Sequence, residues 1–199
     1  MKLFHRLFHR LFAGLAFAAA IATIAYAATT LNSSDVRLRF SANQVSSNNI
    51  SSPAFTPVVD KLLQFANGTG AGQYDVLFVD KRTLAASGSE DLDLTGTALK
   101  SAFNANIANA EIVGVLVFAE TANTNDVVVG GASANGWFGM FGAANDVVNV
   151  KPGGFFADVA YDASGLGAVT AATADLLHIA NSSSGTTVTY TIVILGRSA

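Results

Sequence analysis

Between residues 74 and 195 the chain is a succession of short strand-like runs, each ended within a few residues by glycine, asparagine or proline. The runs are 74–84, 90–94, 111–119, 126–129, 147–150, 155–161, 176–180 and 186–195. The breakers include Gly130-Gly131, Asn135-Gly136, Pro152-Gly153-Gly154, Ser164-Gly165 and the stretch 181–185. In the last run Val188, Tyr190, Ile192 and Ile194 alternate with Thr189 and Thr191, which is the period of a half-buried strand. Residues 111–119 (EIVGVLVFA) are apolar on both faces and belong in the middle of a sheet. Residues 97–104 are the only helix-like piece, at most about two turns long. Without a βαβ rhythm, the pattern predicts an all-β antiparallel β-sandwich over residues 58–199, jelly-roll-like in its winding.

The segment before it reads differently. Residues 28–57 are rich in Ser and Asn, with Pro53 and Pro57, and predict a linker or arm. Within it Val36, Leu38 and Phe40 alternate with Arg37 and Arg39, a short strand signal; such an arm can pair with a neighbouring sheet edge. Residues 57–66 fit either a helix opened by Thr56 and Pro57 or a strand. The strand is preferred, because the Gly-rich turn 67–72 would join it to 74–84 as a hairpin.

Residues 1–27 form a leader. Lys2, Arg6 and Arg10 precede an uncharged apolar run over 11–26, and Ala25-Tyr26-Ala27 offers a cleavage site. That is the pattern of a secretory signal. The repeat RLFHRLF also gives a basic amphipathic start, so a retained hydrophobic anchor helix or a membrane-surface helix are further readings, and a plain core helix is the least favoured. His5 and His9 are four apart but lack a third ligand. The membrane is an expected partner through this segment, and the expected location is an exported, secreted or membrane-associated state.

Only 13% of residues are charged against 51% hydrophobic, so the surface must be built from small neutral polar groups. Such surfaces suit proteins that pack against copies of themselves or work outside the cytoplasm. Three of the eleven basic residues lie in the leader, so residues 28–199 carry eight against fourteen acidic ones, a net of −6. That balance has no generic attraction for nucleic acid, and none is expected as a partner. Cysteine is absent, which excludes disulfides, thiolate metal sites and cysteine nucleophiles.

No catalytic constellation stands out, and neither an enzyme, a cofactor nor a metal is expected. His178, the only histidine after the leader, sits in a strand and reads as a partly buried side chain with one hydrogen bond. Gly68-Thr69-Gly70-Ala71-Gly72 resembles a phosphate loop only in composition, since no helix follows. Asp91, Asp93, Asn123, Asn125 and Asp126 supply oxygens that can hold calcium, but Asx-turns account for them equally. Glu90, Glu111 and Glu120 fall near strand ends, where solvated acids are ordinary. The most unusual segment is 135–142, where Trp137, Phe138, Met140 and Phe141 stand between glycines. Such a loop either caps the sandwich or contacts a partner. Phe155-Phe156 is a second candidate contact, with one ring directed to the core.

Several blocks occur in consistent order over about residues 61–196. They are FANGTGAGQ at 65–73, DKRTLAAS at 80–87, EDLDL at 90–94, ANTNDVVVGG at 122–131, VKPGG at 150–154, TADLL at 173–177, ANS at 180–182 and VTYTI at 188–192. Together they resemble a family of small tailed-phage structural proteins. The resemblance implies a virion component, of the head surface or another particle part, and carries no active site. The leader departs from that family's pattern, which starts directly with a soluble arm, and suggests a membrane-associated particle or a relative exported by a cell. The expected function is therefore a structural protein of a phage or virus-like particle (capsid decoration, spike or related component) that forms homo-oligomers and meets other virion or cell-surface proteins. Its expected contacts are Trp137, Phe138, Met140 and Phe141, with Val36, Leu38 and Phe40 as an arm strand. The alternative is an exported bacterial surface module, an adhesin or glycan-binding sandwich, with Trp137 stacked on a sugar.

Overall fold

The computed structural model describes residues 30–47 and 50–199. The leader expected over 1–27 lies outside the described residues. Within them there are thirteen strands and no helix. In chain order they are β1 (Ser34–Ser41), β2 (Gln44–Val45), β3 (Ala54–Phe55), β4 (Val58–Phe65), β5 (Val76–Leu84), β6 (Ser89–Asp93) and β7 (Glu111–Ala119). They continue as β8 (Val127–Gly130), β9 (Val147–Val150), β10 (Phe155–Val159), β11 (Gly167–Ala168), β12 (Leu176–Asn181) and β13 (Val188–Arg197). The period-2 runs therefore become strands nearly where the alternation places them. Residues 97–104 do not form a helix. They close as turns, in which Ser101 accepts from the Asn104 amide at 2.9 Å and donates to Ala105 O at 2.9 Å.

Two antiparallel sheets make the body. One has the order β10-β7-β13-β5, with β11 also on β7; the other is β6-β12-β8-β9. β7 lies inside its sheet, as its two apolar faces require. Early strands pair with late ones throughout: β5 with β13, β6 with β12, β7 with β10, and β8 with β9. The inner faces share one core. Phe78, Val115, Val117, Ile192 and Ile194 meet Leu92, Val127, Val129, Leu177 and Ile179, all fully or almost fully buried. Each such side chain contributes about 1.5–3 kcal/mol by leaving water.

A polar clasp also joins the sheets. Arg82 and Tyr190 are neighbours across β5 and β13, and Glu90 reaches them from β6 in the opposite sheet. The Tyr190 hydroxyl donates to Glu90 Oε1 at 2.6 Å, and Arg82 Nε donates to Oε2 at 2.8 Å. Arg82 Nη1 pairs with Asp80 at 2.7 Å. Glu90 is thus a paired residue between the layers rather than the solvated strand-end acid expected. Burial first, and then the bond to Glu90, push the Tyr190 phenol above its ordinary range.

The arm departs most from expectation. β4 does not form a hairpin with β5. It pairs along its whole length with β1, from Ser34↔Phe65 to Ser41↔Val58. The register continues unbroken to Gln44↔Phe55 and Val45↔Ala54. Residues 34–45 and 54–65 are the two strands of one long ribbon, so the arm runs past Pro57 to Phe65 instead of ending where the sandwich was expected to start. The Gly-rich turn is real, but it redirects the chain. Ala66 donates to Gly72 O at 3.0 Å, while Gly72 donates to Tyr161 O at 2.9 Å, tying the turn to the loop after β10. Gly72 has φ +66°, and a side chain there would meet the Tyr161 ring at 2.8 Å.

The clasp sets an alkaline limit on stability. Unfolded Tyr190 loses its proton near pH 10 while the folded phenol keeps it, so the unfolded state binds fewer protons and stability falls as pH rises above about 10. Ultraviolet titration is expected to show the Tyr190 phenol ionising only as the fold opens. Tyr190→Phe should cost about 1–3 kcal/mol at neutral pH in urea unfolding, by leaving a Glu90 oxygen short of a donor, and should flatten the alkaline decline.

Candidate assembly surface

Alternation divides the arm into two unlike faces. Val36, Leu38, Phe40, Val59, Leu63 and Phe65 fall on one, with Lys61 as its single charge. The other carries Asp35, Arg37, Arg39, Asp60 and Gln64, with Leu62 and Val58 among them. There Arg37 Nε donates to Asp60 Oδ1 at 2.8 Å, and the guanidinium holds that carboxyl below its usual range.

The apolar face is covered only at its root. Phe65 is buried, its ring 5.5 Å from Tyr74 and 5.3 Å from Tyr161. Around it Leu31, Val36 and Leu63 pack on Val113, Val159, Val193 and Leu195. The Tyr161 hydroxyl donates to Gln64 O at 3.0 Å. Arg197, 1% exposed, holds this socket in place. Its Nε donates to Gln73 O at 2.9 Å, Nη2 to Asp162 O at 2.7 Å, and Nη1 to Ala163 O at 2.9 Å and Glu111 Oε1 at 2.6 Å. One guanidinium thus joins the loops that carry Tyr74 and Tyr161. Glu111 is the partner of a buried cation, a role its strand-end position did not announce. Sequence patterning missed Arg197 too, because a terminal arginine after an apolar strand reads as solvated.

Beyond the root the ribbon leaves the body. Leu38 is 61% exposed, Phe40 56%, Val59 64% and Phe55 65%. A strand pair this long, rising about 3.4 Å per residue, reaches on the order of 40 Å.

The two outer faces of the body also differ, although Val128 and Val147 share the outer face of the four-stranded sheet with its polar groups. The four-stranded sheet turns Ser89, Asp91, His178 and Asn149 outward, and His178 Nδ1 lies 2.6 Å from Asp91 Oδ1. The five-stranded sheet shows rows of apolar side chains. Ala157, Leu116, Val193 and Val79 lie side by side across four strands, and Phe155 and Phe118 stand in the next row with ring centroids 6.1 Å apart. Val79, Phe118 and Phe155 are exposed. A groove of about 200 Å³ extends this band past the edge of β5, lined by Leu31, Leu77, Val79 and Phe103 among others. The arm root sits on this same outer face.

The other expected sites fall elsewhere. Trp137 is 3% exposed and packs in the main core, so the ring is closed to a partner; Met140 and Phe141 are half-buried against the same core. Gly139 permits this, since a side chain there would lie 2.4 Å from Leu166 O and 2.7 Å from the indole. Of these four candidates only Phe138 is exposed. Phe156 turns to the core and Phe155 outward. The oxygens considered for calcium make turns and crosslinks instead. Asp93 accepts from the Thr95 amide at 3.0 Å, Asn123 exchanges two 2.8 Å bonds with Thr189, Asn125 donates to Asn181 at 2.9 Å, and Asp126 pairs with Lys151 at 2.5 Å. Among the described residues no three His, Asp or Glu side chains gather as a metal site, and no helix is long and apolar enough to cross a membrane.

No family model, curated protein or solved structure matches the chain. The surface is therefore understood from its own geometry.

Removing the root ring should release the arm. Phe65→Ala is expected to cost about 3–5 kcal/mol in urea unfolding. Limited proteolysis should then cut within residues 36–62 much faster than in the parent, while the body strands stay protected from hydrogen exchange.

Proposed function

We propose that this protein is a structural subunit of a phage or virus-like particle, built to assemble with copies of itself through its hairpin arm. The observation that carries the proposal is the arm's apolar face, covered at the root and open over Leu38, Phe40 and Val59. A lone two-stranded ribbon is marginal in water, and an exposed apolar ribbon face is a contact surface. The strand order adds support at the level of the fold. Pairing first with last (β5 with β13), second with second-last, and so inward is the order expected of one long antiparallel ribbon rolled into two layers, and it supports a jelly-roll winding. Viral shells and lectins both use that architecture, so the fold alone does not choose between them. The arm and the low-charge outer sheet favour the shell, where repeated contacts work best with few charges to desolvate.

The exported glycan-binding reading loses its main support, because Trp137 is buried and has no free face for a sugar.

Light scattering on the full chain in mild detergent tests the proposal. The parent is expected to form multimers, and Leu38→Asp with Phe40→Asp to shift it toward monomer with unchanged far-ultraviolet circular dichroism. A parent that stays monomeric at its highest soluble concentration, and that mass spectrometry does not find in purified particles, contradicts it.

A further inference from the structure

We infer that the open part of the arm of one copy lies across the outer face of the five-stranded sheet of a second copy. The inference rests on the assembly role proposed above and names the surface that receives the arm. The chain already contains a short version of this contact. At the root, Phe65 of the arm's apolar face is buried in one cluster with Val113 and Leu195 of that sheet, and Val36 and Leu63 of the arm and Val159 and Val193 of the sheet pack against that cluster. The same two faces then part company. Leu38, Phe40 and Val59 continue the arm face into solvent, and Val79, Phe118 and Phe155 continue the sheet face, all at least 40% exposed.

A chain whose arm folded back along its own sheet would bury both sets. Neither is buried, so each molecule offers two surfaces of matching chemistry that it does not join itself. The second copy is the occupant that satisfies both at once. Arm-to-arm pairing would cover the ribbon and leave the sheet face open. Both surfaces are nearly free of charge: Lys61 is the one charge on the arm face, and on the sheet face Lys81 is paired with Glu120 at 2.7 Å. Contact between them therefore strands few ions. Because arm and receiving face are different patches, the contact either closes as a reciprocal exchange of arms between two copies or repeats into a ring or an extended array.

The absence of cysteine makes the test direct. Full-length Leu38→Cys and Val79→Cys chains are prepared separately, one with a mobility tag, mixed, and treated with a short bismaleimide. Both positions are exposed, so the fold tolerates the changes, and Phe40→Cys with Phe118→Cys serves as a second pair. The expected result is a mixed dimer at least tenfold more abundant than either self-linked dimer, and cross-linked multimers, from the dimer upward, from a chain carrying both cysteines. Self-linked Leu38→Cys without the mixed product overturns the inference in favour of arm-to-arm pairing. Multimers by light scattering with no mixed product from either pair also overturn it, and leave the assembly role standing. Absence of multimers removes both.

Discussion

A two-stranded ribbon has two faces and no interior. Every apolar side chain it carries must be covered by something outside the ribbon, or remain in water. In this protein that constraint falls on residues 34–65. Among the described residues, their cover is the socket of Tyr74, Tyr161 and the outer sheet residues around Phe65. The socket depends in turn on Arg197, whose buried guanidinium finds four oxygen partners in strands and loops far apart in sequence. Removing it would leave Glu111 without its cation and free the two loops that hold the rings, a loss of about 3–5 kcal/mol by analogy with other broken buried pairs. The direction of the arm, and so everything its tip can reach, is set at the carboxy-terminal end of the chain.

How much of this was legible follows from how local each signal is. The body strands are local: Val188, Tyr190, Ile192 and Ile194 alternate, and they are buried as the alternation requires. The β1 strand was legible for the same reason, through Val36, Leu38 and Phe40. Its partner was not. Period-2 patterning says which side chains share a face and nothing about which strand lies alongside. The loop 67–72 looked like a hairpin turn into β5, whereas the Gly72 amide bonds to Tyr161 O and the chain turns away. Ser and Asn on either side of Gln44 and Val45 suggested a linker, yet these two residues pair with Phe55 and Ala54 and lengthen the ribbon. Trp137 misled in the opposite sense. Glycines around aromatic residues suggested a sticky loop, but the bare backbone of Gly139 is what lets the indole close against Leu166. Glu90 and Glu111 were ordinary strand-end acids by sequence, because Tyr190, Arg82 and Arg197 reach them across sheets and not along the chain.

The contrast between the two outer faces gives the proposed assembly a direction. One sheet presents the His178–Asp91 pair, Ser89 and Asn149, groups that keep their hydrogen bonds to water at little cost. The other presents two rows of apolar side chains beside the arm root. If arms bind only the apolar face, the polar sheet of each copy is left outside the contact and open to water. With so few charges, electrostatic pairing can do little to select the register. Register must come from shape, through the fit of Leu38 and Phe40 against the rows of the sheet, and from Lys61, the one cation on the arm face. A lysine in an apolar contact is costly wherever it lacks an acid or water, so it disfavours alignments that bury it and favours those that leave its ammonium in water at the rim of the sheet. The same residue that weakens the contact in general is then the one that makes some alignments preferable to others.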